Sequence, residues 1–181
     1  MGNNSNSKLK SGENKTEIKG KENLRVKIML VGDGEVGKTG FLDRFINNRF
    51  TGNYFVTIGS NYVTKIINIQ NKNIYLYIID CSGVEKYRFI EVNNYNSADG
   101  IILMYDVHNQ NSFKNILNRS NSIQNLAKNN LCKVFVGNKC DNDSNIVVTK
   151  EEGENLANEL GTGFFEASIE VEKMLTKCFI F

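Results

Sequence analysis

The chain of 181 residues contains no proline, so none of its loops has a backbone angle set by a pyrrolidine ring. Cysteine is scarce as well: the four, at positions 81, 132, 140 and 178, follow no metal-ligand spacing. No secretory signal precedes them, which argues against a disulfide framework and for a reduced, cytoplasmic setting. The single histidine, His108, has no partner cysteines or histidines to make a metal site and reads as a solvated loop residue. An excess of one charge is lacking too, since 22 Lys and Arg against 20 Asp and Glu leave a net +2. Five lysines (Lys8, Lys10, Lys15, Lys19, Lys21) against three glutamates (Glu13, Glu17, Glu22) place that whole surplus in the first 23 residues. The remainder is therefore near neutral, and no nucleic-acid partner is expected. No internal repeat is present.

Residues 1–23 are rich in Asn, Lys, Ser, Gly and Glu, with only Leu9 and Ile18 as sizeable aliphatics. Such a segment buries too little surface to offset its ordering entropy, and it reads as a disordered arm, at most a faint attractant for a membrane. From Leu24 to Phe181 the chain is long enough for one domain with a full core. Apolar runs there alternate with helical patterns, the signature of an α/β fold with a mostly parallel sheet. Strands are expected near 24–31, 61–69, 73–80, 100–106, 133–138 and 163–168, and helices near 38–48, 86–94, 111–128, 149–160 and 171–180. The second and third strands are close enough across Gln70-Asn71-Lys72 to form a hairpin, giving a six-stranded sheet one antiparallel edge. Thr149, with Glu152 three residues on, marks the start of the fourth helix.

Gly32-Asp33-Gly34-Glu35-Val36-Gly37-Lys38-Thr39, followed by Gly40, lies between the apolar run Val26–Val31 and the amphipathic run Phe41–Ile46. That is the strand, loop and helix order of a P-loop. The glycines let backbone N–H groups turn inward around phosphate oxygens, and the helix start adds partial positive charge. Lys38 supplies a cation to the outer phosphates, and the Thr39 hydroxyl can ligate magnesium. A nucleoside di- or triphosphate is the implied ligand.

About a hundred residues later, Asn138-Lys139-Cys140-Asp141 closes the strand Lys133–Gly137. The Asp141 carboxylate can accept from both N1–H and the 2-amino group of guanine. Adenine offers neither donor, and its binding would leave a buried charge unpaired at a cost of several kcal/mol. Asn138 can donate to N7 and tie neighbouring loops, while the Lys139 stem can lie along the ring and ribose with its ammonium in solvent.

Together these motifs resemble a small GTPase of the Ras superfamily, and more closely a Rab protein, from about Leu24 onward. Asp80-Cys81-Ser82-Gly83 is similar to the family's DxxG, which implies that Asp80 holds magnesium through water and that the Gly83 N–H senses the γ-phosphate. The first switch resembles Tyr54-Phe55-Val56-Thr57-Ile58-Gly59, with Thr57 reaching both metal and γ-phosphate. Phe50 stands where the family stacks an aromatic ring on guanine. Glu166-Ala167-Ser168-Ile169 is similar to the ETSA loop, whose backbone N–H at Ser168 or Ile169 meets guanine O6. The Rab character comes from Ile58–Tyr62, Glu85–Arg88, Tyr95–Gly100 and the pair Ser112-Phe113. The resemblance implies a P-loop small GTPase fold with helices on both faces, GTP or GDP with Mg2+ as ligands, and effectors, an exchange factor and a GTPase-activating protein as partners. The expected role is in vesicle traffic on the cytosolic face of an internal membrane.

The sequence departs from that pattern in three places. Val84 stands where the family usually has glutamine to orient the attacking water, so intrinsic hydrolysis is expected to be very slow and no residue is assigned as catalytic. Gly34 keeps room for an arginine inserted by an activator. Val56 replaces the proline that commonly precedes the switch threonine, which leaves that switch more mobile in the GDP state. Ile169-Glu170 replaces Ala-Lys, and the following loop looks shortened, which lowers the expected affinity.

The end, Cys178-Phe179-Ile180-Phe181, fits a prenylation pattern. Yet Val171, Met174, Leu175, Cys178 and Phe179 recur at core-facing helical spacing, and core packing is the favoured reading. Gly2 is a candidate for N-myristoylation, with Asn6 where the pattern wants Ser or Thr. Three classes of function are left: a GTP-dependent switch of low turnover, a hydrolysis-deficient GTP-binding scaffold, and an ATP-using P-loop enzyme, which Asp141 opposes.

Overall fold

The structure, a computed structural model, describes residues 24–48, 56–128, 131–141, 144–168 and 177–179. Six strands form one sheet in the order β2-β3-β1-β4-β5-β6. These are β1 (Leu24–Val31), β2 (Ser60–Ile69), β3 (Lys72–Cys81), β4 (Gly100–Asp106), β5 (Cys132–Asn138) and β6 (Gly163–Glu166). Only β2 runs antiparallel to its neighbour, β3, as the hairpin spacing predicts. Its turn is two residues long: Gln70 and Asn71 have φ of 50° and 62°, the paired left-handed conformation whose twist suits a tight hairpin.

The uninterrupted apolar run Ile28–Val31 at the end of β1 is buried because both faces of the sheet are covered there. Successive side chains alternate, so Ile28 and Leu30 join Leu76, Ile78, Met104 and Val136 in one apolar cluster, while Met29 and Val31 join Ile79, Leu103 and Phe135 in the other. Helix α1 (Lys38–Asn47) closes the first cluster with Phe41 and Phe45. Helices α3 (Gln110–Leu126) and α4 (Lys150–Glu159) close the second with Ile116, Ile123 and Ala157. Each of the large aliphatic and aromatic side chains among these contributes about 1.5–3 kcal/mol of transfer free energy.

Helix boundaries shift by a residue or two from expectation, for local reasons. Asn109, not Gln110, caps α3, its side chain accepting from the N–H groups of Asn111 and Ser112. The expected capping box at α4 forms, with Thr149 Oγ1 accepting from Glu152 N–H at 3.2 Å and Glu152 Oε2 accepting from Thr149 N–H at 2.7 Å. The expected helix over 86–94 divides into a 3-10 turn, Glu85–Tyr87, and α2, Arg88–Asn94.

The reading of a last α-helix over 171–180 is corrected where it can be followed. Lys177–Phe179 form a single 3-10 turn, and 171–176 lie outside the described residues. Core packing does hold at this point, because Cys178 and Phe179 are buried and the Phe179 ring stacks on Phe45 with centroids 3.9 Å apart. Burial pushes the Cys178 thiol up to about 12. The arm over 1–23, and Gly2 within it, lie outside the described residues. No described helix is long and apolar enough to cross a membrane.

Candidate nucleotide-binding site

The described motif residues lie at or just beyond the carboxyl ends of parallel strands, where open α/β sheets place ligands, with Lys38 and Thr39 in the first turn of α1 and Thr57 in the segment before β2. After β1, the chain turns through Glu35 with φ 64° and Gly37 with φ 94° before α1 begins at Lys38. Left-handed residues in so short a loop turn backbone N–H groups into a concavity suited to an anion. Gly32 is required for space, since a Cβ there would stand 2.2 Å from the Met104 carbonyl oxygen. A Cβ added at Gly34 would meet nothing closer than the Gly83 carbonyl oxygen at 4.0 Å.

Lys38 is buried, and its ammonium donates to the carbonyl oxygens of Gly32 at 2.8 Å and Asp33 at 2.6 Å. Burial lowers its pKa to about 8, with the Asp80 carboxylate acting in the opposite direction. Thr39 Oγ1 donates to Asp80 Oδ2 at 2.6 Å and lies 2.9 Å from Thr57 Oγ1. The other oxygen of Asp80, Oδ1, is buried without a hydrogen-bond partner among the described residues, and burial raises the carboxyl's pKa. Two hydroxyls and an incompletely satisfied carboxylate are hard oxygen donors, the set that Mg2+ prefers. Among the described residues no three His, Cys, Asp or Glu side chains gather into a metal-binding group.

Two backbone segments close onto this loop. Gly83 lies so near it that a Cβ would fall 2.2 Å from Gly34 N and 2.3 Å from the Asp33 carbonyl carbon. Ser82 Oγ donates to the Thr57 carbonyl at 2.6 Å, and Ser82 N–H donates to the Gly59 carbonyl at 2.9 Å. Ser82 was not singled out in the sequence, where it reads as a filler inside DxxG. Val84 follows with no polar side-chain atom, and its N–H donates to Ser82 Oγ at 3.3 Å.

The base-side motif joins the phosphate loop through Asn138, whose Nδ2 donates to the Val36 carbonyl at 2.8 Å. This is the tie between loops that the motif implied, and Asn138 Oδ1 is left buried without a partner among the described residues. Asp141 Oδ1 accepts from Ser168 Oγ at 2.5 Å, bringing the loop after β6 to the loop after β5. Cys140 N–H donates to the Ala167 carbonyl at 3.2 Å and strengthens that junction. Phe50 and Ile169 lie outside the described residues.

Two readings of this end are corrected. Asp141 is exposed at the mouth of an open cleft of about 440 Å³ and is not a buried charge. The Lys139 side chain is 41% exposed, and its ammonium pairs with Asp106 Oδ2 at 2.6 Å, from a backbone with φ 67°. His108 is not freely solvated: its N–H donates to Asp106 Oδ1 at 2.9 Å, its ring nitrogen Nδ1 lies 3.3 Å from the same oxygen, and it lines the cleft. Asp106, at the end of β4, is thus the residue of this cleft that sequence reasoning missed. Its place at a strand terminus was the only available signal.

A model of the Ras family matches residues 27–181. GTP-binding protein ypt2 of Schizosaccharomyces pombe is 37% identical over 154 residues, covering 85% of this chain and 77% of that protein. Ras-related protein Rab-3A of Homo sapiens is 42% identical over 142 residues, 78% of this chain and 64% of that protein. GTP-binding protein Rab-3D of Rattus norvegicus is 40% identical over the same number, 142, which is 65% of its length. These matches run through the phosphate loop, the two closing segments and the base-side cleft, and the chain belongs to the Ras family as a Rab-like small GTPase.

Proposed function

We propose that the protein is a GTP-dependent switch of the Rab type whose intrinsic hydrolysis is slow. The observation that carries the reading is the seating of both switch segments on one loop: Thr57 beside Thr39, and Gly83 against Asp33. A γ-phosphate with Mg2+ supplies the charge that draws Thr57 and the Gly83 N–H inward, and its loss releases them. Lys38 and the loop amides bind the phosphates, while Asp141 selects guanine. The Val84 side chain can neither donate nor accept a hydrogen bond, so it cannot orient a water for attack. The open space at Gly34 suits an arginine supplied by an activating protein.

Exposed Val56, Ile58, Tyr62, Ile66, Tyr77 and Phe89 border the two switches and give effectors an apolar surface. Membrane traffic is the proposed setting, by analogy with the Rab and Ypt relatives, with Gly2 acylation as the anchor. A hydrolysis-deficient scaffold is the second reading, which Val84 and the altered fifth motif at Ile169-Glu170 would permit. Nucleotide released from the purified protein should be GTP or GDP, and single-turnover hydrolysis should rise in Val84→Gln. A wild-type rate equal to that of glutamine-bearing relatives would refute the slow switch, and adenine nucleotide in the site would refute the guanine assignment.

A further inference from the structure

A buried ionic cluster beneath the phosphate loop is used by none of the motifs. Arg119, in the middle of α3 and 3% exposed, donates from Nη1 to both oxygens of Glu91, at 2.7 and 2.6 Å. Glu91 belongs to α2, is 1% exposed, and also accepts from the Tyr95 hydroxyl. From Nη2 the same guanidinium donates to Asp33 Oδ1 at 3.0 Å, and Asn115 Nδ2 donates to Asp33 Oδ2 at 2.7 Å. Asp33 therefore sits at a junction. Its carbonyl holds the Lys38 ammonium, its backbone abuts Gly83, and its carboxylate is held by α3.

Resting on the switch reading above, we infer that Arg119 is a positioning residue that registers α2 against the phosphate loop and so favours the triphosphate-bound form. Glu91 lies eight positions after Gly83, through a 3-10 turn into α2, so both ends of the second switch meet the Asp33–Arg119 unit. If α2 moved away after loss of the γ-phosphate, Glu91 would leave its guanidinium, and a carboxylate or an arginine would be stranded in an apolar surround. The arrangement with Gly83 on Asp33 is the one in which every carboxylate of the cluster is paired. Arg119 and Glu91 are also near enough to Lys38 for both charges to act on its ammonium, with opposite signs. A phosphate on Lys38 and the position of α2 are thus linked through one guanidinium.

The readout is the ratio of affinities for a hydrolysis-resistant GTP analogue and for GDP, both with Mg2+, on the full chain. Arg119→Met should lower that ratio about tenfold, within the usual span of coupling between linked sites. Because Arg119→Met leaves Glu91 unpaired and could unfold the protein, the double variant Glu91→Met with Arg119→Met removes both charges at similar volume. It should melt near the unaltered protein and show the same fall in ratio. A folded double variant with an unchanged ratio would overturn the inference, since a merely structural pair alters both affinities alike or neither. Failure of the guanine reading is separately visible, because the unaltered protein would then bind neither nucleotide.

Discussion

The two ends of the nucleotide site are built on opposite terms. At the phosphate end, Lys38, Asp80 and Ser82 are buried, and each is held by bonds within the protein. At the base end, Asp141 is exposed, the cleft is open, and one hydroxyl from Ser168 steadies the carboxylate. The comparison teaches that affinity and identity are divided between them. Buried, preorganised charge gives strong binding to any phosphate chain, because desolvation is already complete. An exposed carboxylate contributes less energy but depends wholly on the pattern of donors on the base.

The largest effect should come from the buried end. Lys38→Ala removes a buried cation from the phosphates and should weaken guanine-nucleotide binding by about 4 kcal/mol, roughly a thousandfold, in an equilibrium titration. An effect below tenfold would mean that the loop amides hold the phosphates unaided. At the open end, Asp141→Asn should cost about 2–3 kcal/mol, and the preference for guanosine over adenosine triphosphate should shrink by a similar factor in competition assays. Equal losses for both nucleotides would remove Asp141 from the selection of the base. The smallest expected change tests the tether between the switches: Ser82→Ala loses the bond to the Thr57 carbonyl and should weaken the GTP analogue by about 1 kcal/mol. GDP binding should be nearly untouched, and a matching loss there would show that Ser82 only supports the fold.

Much of this molecule is legible along the chain. The β4 boundaries, the β2–β3 hairpin and the Thr149 capping box follow from patterns a few residues long, and the structure has them where the sequence puts them. The phosphate loop is legible because its chemistry lies in eight contiguous residues with a strand before and a helix after. The partners of Lys139 and His108 were not legible. Both depend on Asp106 at the end of a neighbouring strand, and β4 meets β5 only through the register that sets Asp106 opposite Asn138.

The sequence by itself determined the fold class, the family, the ligand chemistry expected of the motifs and the loss of a hydrogen-bonding group at Val84, because each is carried by local residue types and spacing. The tertiary structure alone decided that Arg119 meets Glu91 and Asp33, which lie 28 and 86 positions away in the chain. Among 22 basic and 20 acidic side chains no pattern marks which will pair. Electrostatic partners are chosen by the packing that brings charges together out of water, and that choice is made only when α2, α3 and the phosphate loop share one interior.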